Sequence, residues 1–253
     1  MRAVALHADV IALTSRAYAT GCVLVRHGEE AFCIDSPVFP DELEILPAMA
    51  SQAGFSVVGL LATHADWDHV LARYAFPEAS LGMAETSAAR LINEPGKAQR
   101  ELRDFDDELY VTRPGPLSLG HAQRLPVPGQ IELGSAALEV VPADGHTPDG
   151  MAIWIPWARV LACGDYLSPL EIPMVEYSVD AYLATLARLE PLVEQAEHVV
   201  PGHGGPIDGP RAAAILREDR AYLEGLPDAP LPLARRSGAQ RKIHAENVAR
   251  LTR

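Results

Sequence analysis

Four histidines and three aspartates of this chain follow apolar segments at four separate places in the sequence. The stretch THADWDH, residues 63–69, follows the apolar run VVGLLA and contributes two of the histidines and two of the aspartates. His146 follows LEVVPA, Asp165 follows RVLAC, and His203 follows HVV. Loops at strand ends, held by a rigid sheet, are common places for functional sites. The seven residues are His64, Asp66, Asp68, His69, His146, Asp165 and His203.

These residue types together predict a metal centre. Imidazole nitrogens and carboxylate oxygens suit zinc, iron or manganese. A buried group of three carboxylates and four histidines would be strongly unfavourable without a cation. Seven donors are too many for one tetrahedral ion, and they fit two ions about 3.5–4 Å apart that share a bridging carboxylate. The spacing between His64 and His69 lets one loop serve both ions. We therefore expect two divalent ions of zinc, iron or manganese.

The pattern of apolar residues predicts two blocks of strands, each followed by helices. Residues 3–35 and the run VVGLLA form the first block, and ALEVVPA, MAIWIP, RVLAC and HVV form the second. This order favours two sheets packed together with helices outside. Pro191 is expected to kink or break the helix in which it lies. Helical spacing is found at residues 41–53, 84–110 with an interruption at Pro95-Gly96, 179–195, 211–225 and 239–251.

Composition excludes several classes of function. The formal net charge of −13 opposes binding to nucleic acid and to anionic membranes. No apolar run is long enough for a transmembrane helix, and His7 and Asp9 interrupt the apolar N-terminal region, so no signal peptide is expected. Three widely spaced cysteines argue against a disulfide framework. We expect a cytoplasmic enzyme with a small-molecule substrate. The sequence does not define its oligomeric state.

The motifs T-H-A-D-W-D-H, D-G-H-T-P, C-G-D and P-G-H-G, in this order, resemble the metallo-β-lactamase superfamily, with its glyoxalase II-like branch as the nearest type. The pattern of that superfamily is H-x-H-x-D-H, followed by a histidine, an aspartate and a histidine. The resemblance implies a four-layer αββα sandwich of two mixed sheets flanked by helices, an α/β fold with its site at the sheet edges. It also implies a single domain over residues 1–253, with a helical insert at about 84–110 and a C-terminal helical extension at about 211–253.

The resemblance assigns roles to the seven residues. It implies that Asp165 bridges the ions and that Asp68 also orients the attacking water and transfers a proton. Asp66 departs from the pattern because the superfamily usually has histidine there, so iron or manganese is an alternative to zinc. Asp66 either binds its metal directly, binds it through water, or forms a hydrogen bond with a neighbouring residue instead. The implied first ion is held by His64, Asp66 and His146, and the second by Asp68, His69 and His203.

Three other residues are candidates for substrate contact. Trp67 lies within the metal-binding stretch, Tyr166 follows Asp165 and could offer its hydroxyl to an oxyanion, and His244 lies on the last predicted helix. For each of them, packing against the core is the alternative interpretation.

The function expected from the resemblance is hydrolysis by a metal-bridged hydroxide. The substrate class implied is a small ester, thioester or lactone, although one metal core in this superfamily serves many substrates. Two alternatives are open at this point. Asp66 motivates a non-haem iron redox enzyme on the same fold, and a degraded first site would leave a binding protein.

Overall fold

The structure is a computed structural model that describes residues 1–251. It contains two β-sheets, and the first of them contains the N-terminal strands. The first four strands pair antiparallel in chain order, and the fourth to the seventh pair parallel. The sheet is therefore mixed. Its strands, in spatial order, are β1 (Arg2–His7), β2 (Val10–Thr14), β3 (Gly21–His27), β4 (Glu30–Asp35), β5 (Val57–Ala62), β6 (Ser80–Ala84) and β7 (Ala122–Leu125).

The second sheet contains the later strands and is also mixed. Its strands are β8 (Gly129–Leu133), β9 (Ala136–Pro142), β10 (Met151–Ile155), β11 (Val160–Ala162), β12 (His198–Val200) and β13 (Ile207–Asp208). The spatial order is β13-β12-β11-β10-β9-β8. Only β11 and β12 pair parallel among its described neighbours, and the other pairs are antiparallel.

Helices cover the outer faces of both sheets. The apolar residues of α1, α3 and α4 pack on the first sheet, and those of α5, α6 and α7 pack on the second. A third apolar cluster lies between the sheets. The predicted αββα sandwich is therefore confirmed. The helices are α1 (Pro40–Gln52), α2 (Ala72–Ala75), α3 (Glu85–Asn93), α4 (Lys97–Leu109), α5 (Val179–Gln195), α6 (Gly209–Glu224) and α7 (Gly238–Leu251).

Strand alternation explains how one sequence supplies both faces of a sheet. In β3, Val23 and Val25 lie in the cluster between the sheets, whereas Cys22 and Leu24 face the helices. Successive side chains of a strand point to opposite faces, so a run of apolar residues is required where both faces are buried. The three cysteines are buried and none forms a disulfide.

The sheet topology brings four strand ends to one edge. Strands β9 and β11 are both antiparallel to β10, and β12 is parallel to β11, so all three end on the same side. The end of β5 reaches this side from the other sheet, where the Met151 N–H donates to the Thr63 carbonyl at 2.7 Å. The loops after these four strands carry the titratable residues that the sequence singles out.

Helix α5 differs from the prediction because it continues through Pro191 to Gln195. A proline within a helix costs about 3 kcal/mol or more. Leu189 and Val193, which lie on either side of the proline, are buried against the second sheet, and burial of such side chains contributes about 1.5–3 kcal/mol each. The predicted break was wrong because tertiary packing outweighs this local cost. Within residues 1–251, no helix has the length and apolar character needed to cross a membrane.

A buried arginine attaches the segment before α7 to the rest of the protein. The Arg235 guanidinium donates to Asp219 at 2.6 Å, to Glu218 at 3.0 Å, and to the carbonyl oxygens of Ser168 and Glu171 at 3.3 and 2.7 Å. Burial raises the pKa of Asp219 to about 7, although Arg235 opposes the shift. The carboxylate of Asp219 therefore depends on this arginine for its charge.

We expect Arg235→Met to lower the free energy of unfolding by about 3–5 kcal/mol at pH 8, because it leaves the Asp219 carboxylate buried without its cation. The pKa of Asp219 is raised on folding, so this carboxyl favours the folded state when protonated and disfavours it as pH rises through the folded pKa. The loss should therefore be smaller at pH 5. Chemical denaturation at the two pH values measures it.

The matched control for this variant is Arg236→Met. Arg236 is exposed, and within the described residues its side chain donates to the Leu231 carbonyl at 2.8 Å. Arg236→Met should therefore change the free energy of unfolding by no more than about 0.5 kcal/mol. Equal stability of the two variants would contradict the anchoring role of Arg235.

Candidate metal centre

The structure brings the seven predicted ligands together at the shared edge of the two sheets. Six of them form two groups of three, in each of which one ligand atom per residue lies within 4.8 Å of the other two, and Asp165 forms a further group of this kind with His64 and His69. We call the first two groups the first triad and the second triad. The first triad is His64, Asp66 and His146, and the second triad is Asp68, His69 and His203.

Asp165 lies between the triads and is close to every histidine of the cluster. Its Oδ1 is 3.2 Å from His69 Nε2, and its Oδ2 is 3.2 Å from His203 Nε2. The same Oδ2 is 3.3 Å from His146 Nε2 and 3.8 Å from His64 Nε2. One carboxylate therefore reaches both triads, as a bridging ligand must.

The distances within the triads fit a metal ion. In each triad the carboxylate Oδ2 lies 3.5–3.8 Å from the two imidazole Nε2 atoms. Ligands placed about 2.1 Å from a tetrahedral ion are about 3.4 Å from one another. These separations are longer than ordinary hydrogen bonds. The separations between these atoms therefore fit ligands around a cation better than they fit direct hydrogen bonds.

Several of the converging atoms are buried without a hydrogen-bond partner. Among the described residues none bonds to the Nε2 atoms of His64, His69 and His146, or to Asp165 Oδ1. An unsatisfied buried polar group costs about 1–3 kcal/mol, and native proteins contain few of them. Four in one cluster indicate that a further group, such as a cation, completes it.

The charges in the cluster lead to the same conclusion. Burial alone would lower the pKa of His203, but the carboxylates of Asp165 and Asp68 outweigh burial and raise it to about 10. Burial alone would raise the pKa of Asp165, but the surrounding histidines hold it well below its usual range. The carboxylates therefore demand positive charge, which imidazole protons or bound divalent ions can supply.

Each histidine of the cluster is held from behind through its Nδ1. Two of the acceptors are backbone carbonyls, one is a carboxylate and one is a hydroxyl. Because these contacts occupy Nδ1, they leave Nε2 as the atom that faces the cluster, and such partners orient metal-binding histidines. The contacts are His64 with Thr63 Oγ1 at 3.1 Å, His69 with Asp35 Oδ2 at 3.0 Å, His146 with the Met174 carbonyl at 2.8 Å, and His203 with the Tyr18 carbonyl at 3.2 Å.

Close backbone approach allows the loops to meet. A Cβ on Gly202 would overlap Asp165 Oδ1, so only glycine fits at that position. The neighbouring Gly164 has φ of +59°, in the left-handed region that glycine adopts without strain. These two glycines let the ends of β11 and β12 converge on Asp165.

A model of the metallo-beta-lactamase superfamily matches residues 16–232 of the chain. This chain belongs to the metallo-beta-lactamase superfamily. The match covers the strands and loops that carry all seven clustered residues.

Solved structures of this superfamily share the fold at low sequence identity. A metallo-beta-lactamase family protein from Thermus thermophilus is 21% identical, with a TM-score of 0.70 over 98% of this chain and 95% of that one. A beta-lactamase domain protein from Burkholderia ambifaria is 20% identical, with a TM-score of 0.66 over 88% and 76%. A metallo-beta-lactamase from Pontibacter korlensis is 18% identical, with a TM-score of 0.61 over 85% and 98%.

One residue of the metallo-beta-lactamase fold that the sequence analysis missed is Asp35, at the end of β4. Its Oδ1 accepts from the Thr63 N–H at 2.7 Å, and its Oδ2 lies 2.9 Å from Thr63 Oγ1 and 3.0 Å from His69 Nδ1. Because Thr63 Oγ1 donates to Asp35, it is free to accept from His64 Nδ1. Asp35 thus orients one histidine directly and a second through Thr63. A titratable residue that ends a buried strand was the available signal.

Asp66 binds an arginine that the sequence analysis also missed. Arg90 of α3 forms an ion pair from Nη2 to Asp66 Oδ1 at 2.7 Å, and it donates from Nη1 to Asp149 Oδ1 at 2.8 Å. The second oxygen of Asp66 is the one that faces the first triad. Asp149 Oδ2 accepts from the Ala65 N–H at 3.0 Å. Arg90 therefore ties the loop after β5 to the loop that carries His146.

A cavity of about 510 Å³ opens above the cluster, and Trp67 lies in its wall. Tyr18 lies beside Trp67, with ring centroids 6.4 Å apart, and Trp67 also packs on Phe105 of α4 at 4.9 Å. Trp67 therefore serves packing and lines the cavity as well. Residues of α7 and of the segment 168–176 also line the cavity.

Tyr166 and His244 lie away from the cavity wall. The Tyr166 hydroxyl accepts from the His146 N–H at 3.2 Å, and its ring packs on Tyr182, so it supports the first triad from behind. His244 faces Tyr222, with Nδ1 3.0 Å from the hydroxyl. The residues that α7 presents to the cavity include Lys242 and Ile243. Substrate contact by Tyr166 and His244 stays a prediction, and the structure places both residues in packing contacts.

We expect Asp35→Asn to weaken zinc binding about 10- to 100-fold, because the amide cannot serve Thr63 and His69 as the carboxylate does. Competition with a chromogenic chelator measures the affinity. Asp9→Asn is the matched control, since Asp9 pairs with Arg26 on the first sheet and contacts no residue of the cluster in the described part of the chain. Equal zinc affinity of the two variants would contradict the role of Asp35.

Proposed function

We propose that this protein is a metal-dependent hydrolase that cleaves a small ester, thioester or lactone. The observation that carries the proposal is the convergence of seven donors on two triads with a shared carboxylate, at the floor of an open cavity. Membership of the metallo-beta-lactamase superfamily supports metal-dependent hydrolysis in general. The proposed ligands are the seven residues of the cluster, and the proposed ions are two divalent cations, with zinc preferred.

In this proposal, each side chain has a defined task. Ions bound by the triads would lower the pKa of water toward about 7 and polarise the substrate oxygen. Asp165 holds the two triads together and balances their charge. Asp68 lines the cavity and, with Oδ2 facing His69 and His203, is placed to orient the attacking water and to accept its proton. The imidazoles keep Nε2 directed at the cluster because Nδ1 is engaged.

The cavity supports a small-molecule substrate. Its volume of about 510 Å³ is within the usual range for small-ligand sites, about 300–1,000 Å³. Trp67 and Tyr18 offer aromatic surface to the cavity, and α4 and α7 offer lysines and glutamates. Together with the net charge of −13, this lining supports a substrate other than nucleic acid.

We also propose that the chain works in the cytoplasm as one domain over residues 1–253, of which the last two lie outside the described residues.

The two alternatives have less support. The iron redox alternative rests on the extra negative charge of Asp66, and Arg90 offsets that charge at 2.7 Å. A binding protein with a degraded first site would be expected to lose donors or their supports. Here the first triad keeps its three donors, and both histidines have acceptors at Nδ1.

Metal content and turnover together test the proposal. Freshly purified protein should contain about two equivalents of divalent metal by mass spectrometry, and it should hydrolyse members of a panel of chromogenic esters, thioesters and lactones. Removal of the metal with a chelator should abolish turnover, and zinc should restore it. Two equivalents of iron with oxygen consumption, or no metal and no turnover, would contradict the proposal.

Asp165→Ala should lower kcat/KM at least about 100-fold, because it removes the carboxylate that serves both triads. Its metal content should fall below two equivalents, while the far-ultraviolet circular dichroism should stay as in the parent protein. Asp180→Ala, an exposed aspartate in the first turn of α5, is the matched control and should keep full activity. Unchanged activity of Asp165→Ala would refute the bridging role.

A further inference from the structure

We propose that Arg90 is the counter-ion that makes Asp66 a charge-balanced, one-oxygen ligand of the first triad, and so sets the metal preference of that triad toward zinc. This inference rests on the proposed function, because it assumes that the first triad binds a metal. It concerns a residue outside the seven clustered donors, on helix α3.

The geometry divides the two oxygens of Asp66 between two tasks. Oδ1 forms an ion pair with Arg90 Nη2 at 2.7 Å, whereas Oδ2 lies 3.5 Å from both His64 Nε2 and His146 Nε2. A carboxylate held in this way presents one oxygen to an ion and cannot easily turn to present both. The arginine therefore fixes how Asp66 binds as well as its charge.

Arg90 is itself held on three sides. Nη1 donates to Asp149 at 2.8 Å, and Nε donates to Glu94 at 3.3 Å. Its side chain is only 8% exposed, so its interactions with Asp66 and Asp149 are little screened by water. Asp149 also accepts from the Ala65 N–H, next to Asp66 in the chain. These contacts leave the guanidinium little freedom to move away when an ion binds.

A count of formal charges shows what the pairing achieves. Asp66 and Asp149 contribute −2 and Arg90 contributes +1, so this buried group carries −1. A neutral ligand in place of Asp66, with Asp149 but without Arg90, would give the same charge. Glu94 is left out because it is partly exposed. An unpaired Asp66 would give −2, which favours the harder ions manganese and iron. With Arg90 present, the group has the charge that it would have with a third imidazole in place of Asp66 and no arginine.

The same count predicts how two substitutions combine. Asp66→His alone changes the group to 0, because Arg90 keeps its charge after its partner is lost. Arg90→Gln alone changes it to −2. The double variant returns to −1. We therefore expect the two substitutions to compensate for each other, as coupled neighbours do in a double-mutant cycle.

The experiment compares the parent protein, Asp66→His, Arg90→Gln and the double variant, each loaded with zinc or manganese and measured by chelator competition. Asp66→His should weaken zinc binding to the first triad at least tenfold, and the double variant should recover to within about threefold of the parent. Arg90→Gln should shift the ratio of zinc to manganese affinity at least tenfold toward manganese. Thermal unfolding of the metal-free proteins controls for folding.

Two further variants keep the test decisive. Arg90→Lys retains the positive charge but lacks the two guanidinium nitrogens that contact Asp66 and Asp149. It should keep the zinc preference because the charge is the cause, and it can be measured even where Arg90→Gln is unstable. Arg100→Gln on α4 is the control, because Arg100 donates to the Pro95 carbonyl and is exposed. Additive effects, or a zinc preference unchanged in Arg90→Gln, would overturn the role of Arg90 alone. A parent protein that binds no metal would overturn the proposed function as well.

Discussion

The Asp165 carboxylate lies within 3.2–3.8 Å of four imidazole nitrogens, and burial of this carboxylate with two others requires positive charge nearby. The fold supplies that charge in two ways. At the first triad, Arg90 provides a fixed cation beside Asp66. Asp68 and Asp165 lie beside imidazoles, so the charge balance there depends on protons or on metal ions. Arg90 therefore gives the first triad a fixed positive charge that partly offsets its carboxylate.

The fold positions the clustered side chains because three of the four histidines are fixed to different parts of it. His69 is held through Asp35 at the end of β4, and His203 is held through the carbonyl of Tyr18 in the loop before β3. His146 is held by the carbonyl of Met174, in the segment that Asn247 of α7 binds through the Pro173 carbonyl. A change in the packing of the sheets would therefore move the donors relative to one another.

Sequence reasoning identified the donors because their signal is local. Each follows an apolar strand, and the β-strand period and loop chemistry are readable from short windows. The supporting residues had weaker signals. Asp35 follows a strand in the same way and was missed, whereas Asp149 in PDG has the composition of an ordinary turn. Arg90 lies in a charged helical segment, and nothing in that segment distinguishes it from the arginines that face solvent.

The course of α5 and the orientation of His244 also depend on more than local sequence. The continuation of α5 through Pro191 depends on burial against the second sheet, which a local rule for proline does not include. His244 shares a helix with residues that line the cavity, and one position along a helix turns a side chain by about 100°. A pattern of spacing alone could not decide whether His244 or its neighbour Ile243 faces the cavity.

The metal centre and the substrate walls belong to separate elements, which explains why the motifs predict one and not the other. The donors lie on loops fixed by sheet hydrogen bonds, and their types follow from the chemistry of the ions. The walls come from α4, α7 and the segment 168–176, where Lys97, Glu101, Lys242 and Glu246 are exposed or half-buried and partly pair among themselves. Substitution on these helices can alter which molecule fits without moving a donor. If the cavity binds the substrate, as proposed, these helices supply side chains whose chemistry differs from that of the cluster in what they can contact.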